Sequence, residues 1–209
     1  MGVSTDRDDP PSTAASANGG QRADRRRIDL RAAEEAARAL LDALGEPRDA
    51  PGSKDTPRRM AASFAELLTP VAFEPTTFPN EEGYDELVVA RDISFHSLCV
   101  HHLLPFHGVA HVAYIPGERI IGLSKLARVV EQFARRLQVQ ERMTVQIADW
   151  LERELQPKGV GVVLDAEHFC MTIRGVQKPG ARTTTSALRG RVRDDARTRA
   201  EFLALAGTG

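Results

Sequence analysis

Two segments, ELVVARDISF (residues 86–95) and FHGVAHVAYI (residues 106–115), decide the fold of this chain. Both are rich in β-branched and aromatic residues and partly alternate apolar with polar positions, which predicts two β-strands that follow each other in sequence. The connecting segment, HSLCVHHLLP (residues 96–105), contains a cysteine and three histidines. The turn between the two strands is therefore where we expect the chemistry of the protein.

Segments with helical spacing flank this strand pair. Apolar stripes predict one helix from Asp29 to a C-cap at Gly45, and a second that starts at Asp55 or Thr56 and stops at Pro70. Two further stripes predict helices around residues 126–137 and 143–155. Strands over Val160 to Leu164 and Phe169 to Val176, and a closing helix over Arg197 to Ala206, complete the predicted order.

The order of helix pairs and strand pairs predicts an α+β fold, in which an antiparallel sheet carries helices on one side. Residues 1–27 contain few large apolar side chains and are expected to form a disordered tail. We expect residues 28–70 to form an N-terminal helical extension and residues 71–209 to form the catalytic domain.

Composition and charge argue against two classes of function, nucleic-acid binding and membrane binding. The chain has 209 residues, 42% of them hydrophobic, and a formal net charge of −1. This balance lacks the basic excess with which dedicated nucleic-acid binders neutralise phosphates. No apolar run approaches the roughly 20 residues that cross a bilayer, and no secretory signal is recognisable. We therefore expect a cytosolic protein that binds neither nucleic acid nor membrane.

The two cysteines of the chain each lie close to a histidine. Cys99 and His102 have a spacing that lets one tight turn present both side chains to a single ion. Cys170 follows His168 by two positions in a predicted strand, so both should project from one face. Two thiolates and one imidazole form a zinc-preferring set with a fourth position left for water. The alternative is that both cysteines are small core residues.

Motif absences remove three other enzyme classes. The chain has no His-x-Glu with Pro-Cys-x-x-Cys, the pattern of zinc nucleobase deaminases. It has no phosphate-binding loop of the G-x-x-x-x-G-K-[ST] type. The segment GLSKL (residues 122–126) departs from G-x-S-x-G at its last position, which disfavours a serine hydrolase.

Basic residues suggest an anionic substrate. Lys125 follows Ser124 at a predicted helix start, where free N–H groups favour phosphate, and Arg128 lies one turn further on. Arg174 is an even number of positions from His168, so a regular strand would point both the same way. The alternative interpretation of the helical residues is an exposed basic face.

Gln140 and Glu141 form a candidate purine-binding pair. A carboxylate accepts hydrogen bonds from adjacent ring and amino N–H donors, as a guanine edge presents them. Glutamate near a helix start is also a common helix-dipole residue, and that alternative stays open.

Six motifs occur in order along the chain: CVHHLLPFHG (99–108), AYIP (113–116), IGLSK (121–125), QVQER (138–142), HFC (168–170) and TTTS (183–186). Together they resemble the GTP cyclohydrolase I family, from about Asp29 to Leu205. The resemblance implies the tunnelling fold, in which antiparallel sheets of five subunits close into a barrel and two such rings form a homodecamer. It also implies active sites between subunits.

The resemblance further implies residue roles. It implies Zn²⁺ held by Cys99, His102 and Cys170, and His101 and His168 as acid/base groups. Gln140 and Glu141 correspond to the guanine-binding pair, and the triphosphate-binding groups correspond to Ser124, Lys125, Arg128, Arg174 and Arg59. The implied reaction opens the imidazole ring of GTP, releases C8 as formate and forms 7,8-dihydroneopterin triphosphate.

Two positions depart from the family pattern. Val100 stands where the family usually has glutamate, and Ala62 stands where it often has a basic residue. These departures keep two alternatives open. One is a specialised paralogue with an altered substrate or a reaction that stops at the ring-opened formamide. The other is a catalytically silent subunit that binds nucleotide or pterin and regulates a partner.

Overall fold

The computed structural model of the protein describes residues 28–46 and 52–207, so the predicted tail, residues 1–27, lies outside the described residues. The helices are α1 (Leu30–Ala43), α2 (Thr56–Leu67), α3 (Leu123–Ala134), α4 (Gln140–Leu155), α5 (Phe169–Thr172), α6 (Gly190–Asp194) and α7 (Ala196–Leu205). The strands are β1 (Thr77–Pro79), β2 (Val88–Cys99), β3 (Pro105–Ile115), β4 (Arg119–Ile121), β5 (Leu137–Gln138), β6 (Gly159–His168) and β7 (Arg182–Arg189).

The main sheet has the strand order β5-β2-β3-β6-β7. All neighbouring pairs are antiparallel except β2 and β5, which are parallel over a short stretch. The predicted antiparallel sheet and α+β class are therefore confirmed. Strands β1 and β4 form a second, two-stranded sheet, which the sequence patterns do not predict.

The core lies between α3, α4 and one face of the main sheet, where side chains of both helices pack on β2, β3 and β6. The opposite face is partly covered by α6 and α7, which pack around Phe202 on β3 and β6. Gly161 of β6 makes this contact fit, because a Cβ there would lie 2.7 Å from the Phe202 ring. The predicted helical layer is present as α3 and α4, and the smaller cluster formed by α6 and α7 lies on the opposite face of the sheet.

The first two helices form where the sequence predicts them. Asp29 caps α1 by accepting hydrogen bonds from the backbone N–H groups of Arg31 and Ala32, and Gly45 follows the helix with φ +79°. Pro57 lies in the first turn of α2, as the fixed φ of proline favours. The division of the chain at residue 70 stays a prediction. No helix among the described residues is long and apolar enough to span a membrane.

The predicted strand over Phe169 to Val176 is wrong. Phe169 begins the short helix α5, and the chain then passes through a turn region in which Gly175 and Gly180 have positive φ angles of 63° and 79°. A strand needs extended backbone throughout, so this segment cannot add to the sheet. The last strand is instead β7, in the Thr/Arg-rich segment that follows, where β-branched residues suit a pleated surface.

Candidate functional site

The turn between β2 and β3 holds Cys99, His101 and His102. It is closed by two hydrogen bonds of 2.9 Å, from the N–H of Leu103 to the Cys99 carbonyl and from the N–H of Cys99 to the Leu104 carbonyl. Leu103 adopts φ +53°, a left-handed conformation that lets the chain reverse within so few residues. The turn therefore fixes Cys99 and both histidines at one end of the sheet.

Strand pairing brings the distant Cys170 to this turn. Phe106 at the start of β3 is the register partner of His168, the last residue of β6. The first turn of α5 then places Cys170 so that its Sγ and the ligand atoms of Cys99 and His102 lie within 4.8 Å of one another. The predicted convergence is confirmed, although Cys170 reaches the site on a helical turn and not on a strand.

The donor set fits a soft divalent metal ion. Cys99 Sγ lies 3.7 Å from Nδ1 of His101 and 3.7 Å from Nδ1 of His102. Burial raises the pKa of the Cys170 thiol and the adjacent Cys99 adds to the increase, whereas the charge of Arg174 opposes it. A bound cation favours the thiolates, since metal binding displaces thiol protons. Two sulfurs and one nitrogen leave a fourth tetrahedral position for a non-protein ligand.

His168 lies next to this centre and is restrained by two contacts. Its ring stacks on Phe106, with ring centroids 4.6 Å apart and planes inclined by 3°. Its Nε2 lies 2.7 Å from Oε1 of Gln140. Burial lowers the pKa of His168 below its ordinary value, and the charge of Glu141 opposes this effect. His168 is thus a histidine of fixed orientation within electrostatic reach of a carboxylate.

The predicted guanine-binding pair begins α4, and its two members, Gln140 and Glu141, differ in their exposure to solvent. Glu141 is exposed in the first turn of the helix, where its carboxylate is accessible to a ligand. Gln140 is buried, with only 1% of its surface exposed, and its side-chain amide contacts other parts of the chain. Within one chain, Glu141 is therefore the member of the pair that a ligand can reach.

Three of the predicted anion-binding residues, Ser124, Lys125 and Arg128, lie in the first half of α3, and the opposite end of this helix lies near Cys99. Ser97, two residues before Cys99, donates a hydrogen bond to the carbonyl of Ala134, so the end of α3 lies beside the metal ligands. Ser124 precedes Ala134 by ten residues, which places it about 15 Å along the helix at 1.5 Å per residue. Arg59 on α2 donates to the carbonyl of Gly52 instead.

A surface cleft of about 660 Å³ lies beside the N-terminal half of α3. Its lining includes Ser124 and Arg128 from α3 together with Arg91 and Ser94 from β2. Lys125 lies next to Ser124, with its Nζ 6.0 Å from the centre of the Phe73 ring. The strand position predicted for Arg174 is wrong, because this residue follows the short helix α5, but its charge still reaches Cys170 and opposes the increase in the Cys170 pKa.

Sequence reasoning did not identify the residues that support His168. Phe106 and Thr185 lie within two of the quoted motifs, but the sequence gives them no role beside His168 and Gln140, and Thr144 lies in none of the motifs. The hydroxyl oxygens of Thr144 and Thr185 lie 2.7 Å apart beside Gln140, and Phe106 stacks on His168. The position of Phe106 opposite the HFC segment in the sheet register is the signal that leads to it. That signal becomes visible only when the strand pairing is known.

Comparisons with known proteins agree with the motifs. A family model described as GTP cyclohydrolase I matches residues 33–207. The protein named GTP cyclohydrolase 1 from Aquifex aeolicus is 53% identical over 178 residues, which cover 85% of this chain and 97% of that protein. Its namesake from Mycobacteroides abscessus is 53% identical over 183 residues, covering 85% of this chain and 90% of the relative.

A third relative of the same name, from Carboxydothermus hydrogenoformans, is 50% identical over 184 residues, covering 86% of this chain and 96% of the relative. Among solved structures, the archaeosine synthase QueF-Like in the apo form aligns with a TM-score of 0.42 at 17% identity. That alignment covers 50% of this chain and 93% of the other.

Proposed function

The chain belongs to the GTP cyclohydrolase I family, and from this premise we propose that it is a zinc enzyme that opens the imidazole ring of GTP. C8 leaves as formate, and the product is 7,8-dihydroneopterin triphosphate. The observation that carries the proposal is the convergence of Cys99, His102 and Cys170 beside His168. The same ligands accept other divalent ions, but two sulfurs and one imidazole favour zinc over the harder ions Mg²⁺ and Ca²⁺.

Zinc bound by these residues would supply a Lewis acid that brings the pKa of water towards about 7. The protein's own contribution is proton transfer by His101 and His168. Imidazole suits this role, because the ordinary pKa of histidine lies near neutrality. Protonation of guanine N7 by one of them would make C8 electrophilic, which is the step that the ring opening needs.

Glu141 is the proposed guanine-binding group. Its exposed carboxylate accepts from the ring N–H and the amino N–H of guanine, which lie side by side on one edge of the base. Adenine presents an acceptor at the ring position, so the carboxylate would be left partly unpaired and adenine nucleotides would be rejected. Arg174 would contact the anionic part of the substrate on the metal side of the site.

A homo-oligomer, proposed as a decamer of two pentameric rings, would complete this site. Ser124, Lys125 and Arg128 lie in the half of α3 that is remote from Ser97 and Cys99, and together with Arg59 they would bind the triphosphate. The main sheet also ends in edges that a second copy can extend. In the described residues, β7 pairs only with β6, and the outer edge of β2 pairs only at Leu98 and Cys99.

The proposed compartment is the cytosol. The ligands Cys99 and Cys170 act as thiolates, and both are free thiols in the structure. A reducing compartment preserves them in that form, whereas an oxidising one would favour disulfides.

Incubation of zinc-quantified protein with GTP tests the activity. The proposal predicts formate together with a pterin that fluoresces after oxidation. Formamide without pterin would instead support a partial reaction, which Val100 motivates because it puts an apolar side chain in place of the family glutamate next to Cys99. Binding of GTP without turnover would support a regulatory subunit.

A subunit-mixing experiment tests the shared site. Cys170→Ala and Lys125→Ala homomers should each be inactive, because each lacks one half of every site. A one-to-one mixture, dissociated and reassembled, should regain about a quarter of wild-type activity, the fraction of interfaces with both intact halves. The double variant Cys170→Ala/Lys125→Ala mixed with either single variant should regain none or far less. Mixed oligomers without any gain of activity would contradict a site between subunits.

A further inference from the structure

Gln140 is held by a closed network of hydrogen bonds next to His168. Its Nε2 lies 3.1 Å from the carbonyl oxygen of Leu164 and 2.8 Å from that of Thr183. The hydroxyl of Thr185 lies 3.2 Å from the same nitrogen. With 1% of its surface exposed, this amide is unavailable to a nucleotide in the described chain.

These contacts fix which way the amide faces. Backbone carbonyl oxygens are acceptors only, so the side-chain atom of Gln140 that faces Leu164 and Thr183 must be the NH₂ group. The opposite orientation would place three oxygens against one another and leave both N–H donors without carbonyl partners. Oε1 of Gln140 therefore faces the His168 ring.

The orientation of the amide determines the tautomer of His168. Oε1 is an acceptor, so the His168 nitrogen 2.7 Å away must carry a hydrogen at Nε2. In the neutral ring, Nδ1 is then left without a hydrogen. Phe106 restrains the ring in the other direction by stacking on its face. The hydrogen bond to Gln140 lies in the plane of the imidazole and the stacking contact with Phe106 lies on its face. Together the two contacts fix the orientation of the ring.

We propose that Gln140 is the positioning residue of His168, which it holds in the Nε2–H tautomer so that Nδ1 is the atom that exchanges protons with the substrate. This role rests on the proposed function, because it assigns His168 to the ring-opening reaction. It differs from a guanine-binding role in its kinetic signature. A residue that orients an acid/base group affects turnover, whereas a residue that contacts the base affects substrate affinity and selectivity.

The kinetic test uses Gln140→Met, which keeps the approximate volume and removes the acceptor. We expect kcat to fall roughly tenfold or more, since a misoriented catalytic group loses much of its effect. KM for GTP, or the Kd if turnover is too slow, should change less than about twofold, and the preference for GTP over inosine triphosphate should persist.

Glu141→Gln is the matched control, because it changes the neighbouring residue on the same helical turn. It should raise KM and reduce the preference for GTP, the opposite pattern. A Gln140→Met variant that raised KM with kcat retained, or lost the preference for GTP, would overturn the positioning role. Wild-type activity in the same assay separates this outcome from failure of the proposed function.

A second measurement needs no turnover. Solid-state NMR of wild-type protein with ¹³C,¹⁵N-labelled histidine reports the tautomer of each ring, and the His168 signals are assigned by their loss in His168→Gln. At a pH where the ring is neutral, we expect a hydrogen on Nε2 and none on Nδ1. A hydrogen on Nδ1 of His168 would overturn the inference whatever the kinetics show.

Discussion

Replacing Glu141 by glutamine tests the proposed recognition of guanine. The substitution keeps the shape of the side chain and one acceptor oxygen. It removes the negative charge and places an NH₂ group opposite an N–H donor of the base. Because Glu141 is exposed at the start of α4 and is not part of the core, the fold should tolerate the change.

The size of the effect follows from the hydrogen bond that is lost. A hydrogen bond to a charged group contributes about 1.5–3 kcal/mol. At about 1.4 kcal/mol per factor of ten, kcat/KM for GTP should fall roughly 10- to 150-fold. The carboxylate binds substrate in the ground state and the transition state alike, so most of the loss should appear in KM.

Steady-state assays with GTP and inosine triphosphate measure this loss. The variant should also discriminate less between the two, since inosine lacks the amino group that the carboxylate binds. The control is Glu154→Gln, which makes the same charge change in the last turn of α4 and should leave KM for GTP and the preference for GTP unchanged. If Glu141→Gln kept wild-type KM and selectivity, Glu141 would not be the guanine-binding group.

Three further predictions concern packing, capping and proton transfer. Gly161→Ala should destabilise the fold by about 1–3 kcal/mol in urea unfolding, because the new Cβ would meet the Phe202 ring. Adding Phe202→Leu to this variant should recover part of the lost stability. An unchanged unfolding midpoint in Gly161→Ala would contradict this packing. Hydrogen bonds from Thr198 hold the pKa of Asp195 in the folded protein below its ordinary value of 3.8. The Asp195 carboxylate therefore stabilises the fold above pH 3.8, and this stabilisation is lost as the pH falls through the lowered pKa of the folded state. Asp195→Ala should therefore lower the Tm at pH 7, with a difference from wild type that narrows in acid and not in base. His168→Ala should retain metal and lose turnover, whereas loss of metal would make His168 a ligand.

Helices were easier to predict from this sequence than the last strand. The stripes of α1 and α2 carry their own boundaries in Asp29, Gly45 and Pro57, and these are local signals. The stripe of the third helix continues to Leu137, whereas α3 ends at Ala134 and Leu137 belongs to β5. Residues 169–176 are apolar enough for a strand, but the turn at Gly175 and the short helix α5 depend on how β6 ends against β3. The strand that does close the sheet, β7, has an exposed and Thr-rich pattern that is weak in isolation.

The convergence of Cys99, His102 and Cys170 was predictable because cysteine and histidine are scarce in the sequence. Two cysteines, each near a histidine, suggest one centre, and the register of β3 with β6 brings them together. The role of Gln140 was not predictable in this way. Its burial and its contacts depend on the carbonyls of Leu164 and Thr183, which belong to two paired strands distant in sequence.

Metal analysis of wild-type protein and of Cys170→Ala, run beside the GTP assay, tests the metal centre most directly. Wild-type protein should carry about one zinc per chain, as a site with three protein ligands predicts. Cys170→Ala should lose zinc and pterin formation together while its oligomeric size stays unchanged. Zinc content that is the same in the variant, or full turnover by metal-free wild-type protein, would contradict the account.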